Sequence, residues 1–128
     1  MRLLLDTHAL IWLIGGSSKL SAAARKAITD TAEQTFVSAA TAWEVSTKHR
    51  LGKLADAAEL AQDFERILDD EGLQHLSITV RHGHLAGNLR GVNKDPFDRM
   101  LIAQALLENL TLVSNETAFD RFGVSRLW

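Results

Sequence analysis

Four acidic residues of the chain lie either just after a short apolar run or early in a predicted helix. They are Asp6, Glu44, Asp98 and Glu116. If the apolar runs are parallel strands, their carboxyl ends meet at one edge of a sheet, and these acids can converge there. A carboxylate cluster is a ligand set for Mg²⁺ or Mn²⁺, and its natural reaction is attack of an activated water on a phosphodiester.

Each acid also has a purely structural interpretation. Asp6 could be a helix N-cap, Asp98 could form a capping box with Asp95, and Glu116 could be a solvated surface residue. Glu44 fits such an interpretation least well, because it lies between Trp43 and Val45 in a mostly apolar segment. A buried carboxylate needs a partner, and a hard divalent cation would be one.

Other chemistries lack their usual sequence signatures. The chain has no cysteine, and its five histidines show no His-Glu-x-x-His pattern, so we do not expect a zinc site. His82 and His84 are only two positions apart, which on a helix points them to different faces. Phosphate-loop, dinucleotide-binding and serine-nucleophile motifs are also absent from the sequence.

Short strands and helices alternate along the chain. Strands are predicted at 2–5, 35–37, 73–78 and 111–113. Helices are predicted at 7–14, 21–31, 39–50, about 60–71, 79–89 and from the Asp95-Pro96 cap onward. This alternation indicates an α/β fold with a mainly parallel sheet.

Length and composition are those of one compact domain spanning residues 1–128. No run approaches the roughly 20 apolar residues that cross a bilayer, so we expect a cytoplasmic protein without a membrane segment. The net charge of −2 provides no global basic field for RNA binding. Lys48 and Arg99 are therefore candidates for local phosphate contacts, unless they only form ion pairs, and Thr7 and Ser114 could orient the acidic side chains.

Three segments, in order, resemble the PIN domains of VapC-type toxins. They are Leu4–Trp12, Ser38–Lys48 with Leu51–Leu54, and Asp95–Ala105. A fourth segment, Leu112–Phe119, is similar to a stretch in which the family usually has Thr at position 114 and Asp at position 116. The family often has His where this chain has Asn93.

The resemblance implies a PIN-like three-layer α/β/α sandwich with about four or five short strands. It also implies that Asp6 and Asp98 bind Mg²⁺ or Mn²⁺, that Glu44 completes an acidic triad, and that Glu116 takes a fourth acidic position. The implied protein is a homodimeric ribonuclease toxin that cleaves RNA, such as transfer RNA, and is inhibited by an antitoxin whose tail covers the acids.

Two other functions are compatible with parts of the pattern. A catalytically silent RNA- or protein-binding module would keep the fold and use its acids to dock a basic partner. A receiver-type signalling domain would also cluster acids at a sheet edge, but it requires paired acids after the first strand and a phosphoacceptor aspartate. Asp6 stands alone there, and Phe36-Val37-Ser38 offers no acceptor.

Overall fold

The computed structural model describes residues 1–128 and contains five strands and seven α-helices. The strands are β1 (Arg2–Leu5), β2 (Gln34–Ser38), β3 (Gln74–Leu76), β4 (Thr111–Val113) and β5 (Arg126–Leu127). The helices are α1 (Thr7–Ile14), α2 (Ala22–Lys26), α3 (Ala39–Arg50), α4 (Ala58–Gln62), α5 (Phe64–Asp70), α6 (Val80–Asn88) and α7 (Pro96–Glu108). A π-helical turn, Ala27–Thr31, follows α2, and 3-10 turns occupy Ala55–Ala57 and Thr117–Phe122.

The five strands form one parallel sheet in the order β3-β2-β1-β4-β5. The central strand β1 is apolar throughout its buried part, and Leu3, Leu4 and Leu5 are 0% exposed. Such a continuous apolar run is typical of a parallel strand that is covered on both faces. The α/β fold with a parallel sheet, predicted from the sequence, is confirmed.

Helices cover both faces of this sheet. Leu3 and Leu5 point into a core that includes Leu10 of α1 and Leu68 of α5. Leu4 points to the opposite face, where it joins a second core with residues of α7 and the 3-10 turn after β4. The arrangement is the expected three-layer sandwich. None of its helices is both long enough and apolar enough to cross a membrane.

Three details differ from the sequence prediction. The helix predicted from residue 60 to 71 is two helices, because Asp63 adopts a non-helical backbone (φ −143°, ψ 49°) between α4 and α5. The helix predicted to reach residue 31 ends in the π-helical turn. Strand β5 was not predicted, because a run of two residues is too short to show a periodic pattern. Only its pairing with β4 in the structure identifies it as a strand.

Candidate active site

Asp6 links the central strand to the first helix. Its Oδ1 atom accepts a hydrogen bond from the Ala9 amide at 2.8 Å, so the side chain caps α1 as the structural interpretation predicted. The residue is nevertheless only 6% exposed. A capping aspartate on a surface helix is ordinarily solvated, so burial of Asp6 requires a further explanation.

Glu44 lies in the second turn of α3, whose first turn is capped by Ser38. It is 5% exposed, in agreement with its apolar sequence surroundings. One carboxylate oxygen accepts a hydrogen bond from the Thr7 hydroxyl, and the other forms an ion pair with Lys48. The partner of this buried charge in the structure is therefore a lysine of the same helix, and Lys48 is confirmed as an ion-pair residue.

Asp98 lies in the first turn of α7. The N-cap residue Asp95 accepts hydrogen bonds from the Phe97 and Asp98 amides at 2.8 and 3.0 Å, which fixes the start of this helix. The amide side chain of Asn93 donates to Oδ2 of Asp98 at 3.2 Å and accepts from the Asp95 amide at 2.9 Å. Asn93 thus orients Asp98 from the preceding loop.

These segments surround one cavity of about 160 Å³, hereafter the acid cavity. It is lined by Asp6, Thr7, His8, Glu44, Lys48, Asp95, Asp98 and Glu116. The structure therefore brings the four predicted acids together at the carboxyl ends of the strands. A fifth carboxylate, that of Asp95, lies beside them.

Burial and mutual repulsion change the acidity of two of these groups. Burial raises the pKa of Asp6, against the lowering effect of hydrogen bonds from Ser114 and Ala9, and the charge of Glu116 raises it further. Burial, with the charges of Asp95, Glu44 and Asp6, raises the pKa of Asp98 to about 6, although the Asn93 hydrogen bond opposes the shift. Carboxylates with raised pKa values in a cleft are typical of functional sites.

The PIN domain family model matches residues 3–124. The chain belongs to the PIN domain family. The receiver-type alternative is therefore wrong. No curated protein gives a match to the sequence.

Several solved structures share the fold of this PIN domain at low sequence identity. A chain of the VapBC2 complex from Rickettsia felis, bound to a DNA fragment from its promoter, has 17% identity and a TM-score of 0.70, with 99% of this chain and 98% of that chain covered. A toxin–antitoxin complex from Klebsiella pneumoniae has 23% identity and a TM-score of 0.63, with 90% and 87% covered. VapBC-1 from nontypeable Haemophilus influenzae has 15% identity and a TM-score of 0.68, with 99% and 97% covered.

The carboxylates of the acid cavity are suited to bind a small divalent cation that takes only a few of its ligands from the protein. No three acidic or histidine side chains of this PIN domain already converge into a metal-binding group. Mg²⁺, however, is commonly bound through one or two carboxylates and completes its shell with water. Asp6 and Asp98 provide two such carboxylates, and no protein group donates to Oδ1 of Asp98. A cation there would also stabilise the charged form of Asp98, whose pKa is raised by burial and by the neighbouring carboxylates.

Arg99, one of the two candidates for phosphate contact, does not line the acid cavity. The Arg99 guanidinium donates to the backbone carbonyls of Ala86, Gly87, Leu89 and Asn93. Arg99, for which the sequence offered a phosphate contact or an ion pair, forms no ion pair in the structure, and its donors instead connect α6 and the following loop to α7. Its position next to Asp98 in sequence gave no indication of these carbonyl partners.

Sequence reasoning did not include two lining residues, Asp95 and His8, among the site residues. For Asp95 a signal existed, since Asp-x-x-Asp at 95–98 places two carboxylates in one helical turn. Asn93 was noted only as a departure from the family pattern, and its contact with Asp98 depends on the path of the loop. Ser114 accepts the Glu116 amide at 3.0 Å, which orders the turn after β4.

Proposed function

We propose that this chain is the ribonuclease toxin of a VapC-type toxin–antitoxin pair. The observation that carries the proposal is the acid cavity, in which five carboxylates face only one lysine and one histidine. Such an excess of negative charge destabilises the fold unless a cation or a basic partner offsets it. A divalent cation satisfies that requirement and also provides chemistry on RNA.

Asp6 and Asp98 would hold Mg²⁺ or Mn²⁺. Such a cation would supply a water molecule of lowered pKa and would offset the negative charge that develops on the phosphoryl oxygens during attack. Glu44 would orient this water or accept its proton, with Thr7 holding one of the Glu44 oxygens. Glu116 is exposed at the rim of the cavity, where it would act as a supporting group.

The fold relatives support the proposed partner. The matched structures are described as VapBC or toxin–antitoxin complexes. We therefore propose that an antitoxin presents Arg or Lys to the acid cavity and that the toxin is a homodimer whose substrate is RNA, such as transfer RNA. A neighbouring reading frame for a short protein with a DNA-binding head and a basic tail would support this assignment.

The proposal is tested by RNA cleavage with the purified chain. Cleavage should require Mg²⁺ or Mn²⁺ and stop with chelator, and Glu44→Gln should reduce the rate by about a hundredfold or more. Glu59→Gln, which changes an exposed carboxylate of α4, is the matched control and should leave the rate unchanged. Absence of cleavage with every divalent ion would favour the catalytically silent binding module instead, and activity with zinc alone would contradict the proposed ligand set.

A further inference from the structure

Lys48 is the only lysine or arginine that lines the acid cavity. It lies one helical turn after Glu44 on α3, and its ammonium group forms the ion pair with Oε2 of Glu44. The same nitrogen lies 5.7 Å from the centre of the Phe97 ring, at a distance at which a cation–π interaction forms. Two separate helices thus fix the position of this charge.

Glu44 is held on both sides by this arrangement. Lys48 occupies one carboxylate oxygen, and the Thr7 hydroxyl of α1 donates to the other at 2.5 Å. These two contacts fix the position of the carboxylate, and each of its oxygens keeps a further lone pair that can accept a hydrogen bond from water. Glu44 forms no group of three metal ligands with Asp6 and Asp98.

The ion pair differs from an ordinary surface pair between neighbouring helical turns. The Glu44 side chain is 7% exposed and that of Lys48 is 32% exposed, so solvent screens their charges less than at the surface. Burial lowers the pKa of Lys48, but its hydrogen bond to Glu44 and the charges of Asp95 and Asp98 raise it above the ordinary value overall. The lysine therefore remains positively charged, close enough to Asp98 for their charges to interact and in the same cavity as Asp6.

We propose that Lys48 is a positioning residue that serves as an internal counter-ion of the acid cavity. Its ion pair with Glu44 holds that carboxylate in place against Thr7. Its positive charge opposes the binding of a divalent cation at Asp6 and Asp98. This inference rests on the proposed function, because it concerns the same cation site. A purely structural ion pair would stabilise α3 and leave cation affinity unchanged.

The test compares Lys48→Met with Lys53→Met, which removes an exposed lysine that forms no ion pair. The dissociation constants of Mg²⁺ and Mn²⁺ are measured by calorimetry and by the cation-dependent shift of the urea midpoint. Removal of one positive charge next to the site should lower the dissociation constant roughly tenfold in Lys48→Met. Lys53→Met should match the wild type.

Two further variants separate charge from folding effects. Lys48→Arg retains the positive charge and should bind the cation as the wild type does. The double variant Glu44→Gln/Lys48→Met leaves the net charge of the cavity unchanged and removes the buried unpaired carboxylate, so its affinity should return towards that of the wild type. The double variant also answers the question if Lys48→Met alone does not fold, because it should bind the cation about tenfold more tightly than Glu44→Gln alone, and equal affinity in these two variants would contradict the counter-ion role.

The outcomes distinguish this inference from the proposed function. Unchanged or weaker cation binding in Lys48→Met, in a protein whose wild type cleaves RNA, overturns only the role of Lys48. Absence of cation binding in every variant overturns both. Tighter binding in Lys48→Met supports the counter-ion role even if the wild-type chain cleaves no RNA.

Discussion

Two buried polar clusters of this molecule differ in how completely their charges are satisfied. The first is the acid cavity, with its excess of carboxylates. The second, the His82 cluster, joins α6 to α7 and consists of Thr79, His82, Gln104 and Glu108. His82 is 2% exposed, and every polar atom of its ring has a partner.

The hydrogen bonds of the His82 cluster define one arrangement. The Thr79 amide donates to Nδ1 of His82 at 3.0 Å, so Nδ1 is the acceptor and Nε2 carries the proton that is donated to Glu108. The Thr79 hydroxyl accepts the His82 amide in return, which completes a capping box at the start of α6. The hydrogen bonds of the His82 ring and of the Thr79 cap are complete without a ligand and stabilise the helix, whereas Oε1 of Gln104 in the same cluster is buried without a hydrogen-bond partner.

The acid cavity has the opposite character, because burial, together with the neighbouring like charges, raises the pKa of Asp98, and its five carboxylates face a single lysine, Lys48. The completed hydrogen bonds of the His82 ring indicate a structural role. A network whose charges remain in excess indicates that a further group binds there. The histidines were predicted to be surface or packing residues, and His82 is a packing residue of this kind.

The largest expected effect comes from Asp6→Asn, which retains the N-cap of α1 but removes the charge. With chelator present, this variant should be more stable than the wild type, because burial disfavours the charged form of Asp6. The wild type should gain about 2.7 kcal/mol of stability at a Mg²⁺ concentration roughly a hundred times its dissociation constant, whereas the variant should lose most of that gain. Urea unfolding with and without Mg²⁺ measures both quantities. An equal gain in the free energy of unfolding on addition of Mg²⁺ in the two proteins would show that Asp6 acts only as the N-cap of α1.

His82→Ala should produce an effect of intermediate size on stability and none on cation binding. It leaves the Thr79 amide and Glu108 without their partner and creates a cavity, at a cost of about 2 kcal/mol. His84→Ala, which removes an exposed histidine from the same helix, should change stability by less than about 0.5 kcal/mol. If His82→Ala changed the gain in stability that Mg²⁺ produces, the His82 cluster and the acid cavity would be energetically coupled.

The smallest effect is the pH dependence of the cation-free protein. Folding raises the pKa of Asp98 from 3.8 to about 6, so between these values the folded state binds a proton that the unfolded state does not. Stability should therefore rise as the pH falls from 7 to 5, with a contribution from Asp98 of about 1 kcal/mol after allowance for solvent screening. The free energy of unfolding is measured in urea at each pH, and its dependence on pH should be weaker in Asp98→Asn than in the wild type. An identical dependence in the two proteins would contradict a raised pKa for Asp98.

Much of the site could be predicted because its parts are local in sequence. Asp6 follows an apolar strand directly, and Asp95 with Pro96 marks the start of a helix, so each residue could be assigned to an element end. The burial of Glu44 followed from its apolar neighbours. The partners of Arg99 and Asn93 could not be predicted, because they are carbonyl and carboxylate groups whose positions depend on how α6, the loop and α7 pack.

The sequence by itself determined which residues end the strands and begin the helices, since hydrophobic runs and caps act over a few residues. It thereby determined that four acids lie at the ends of strands or in the first two turns of the helices. Only the tertiary structure decided that Asp95 joins them, that Glu44 is paired with Lys48 and Thr7, and that His82 is buried in a separate cluster. These outcomes depend on contacts between segments far apart in the chain, and the free energy of such contacts is set by burial and charge in the assembled fold.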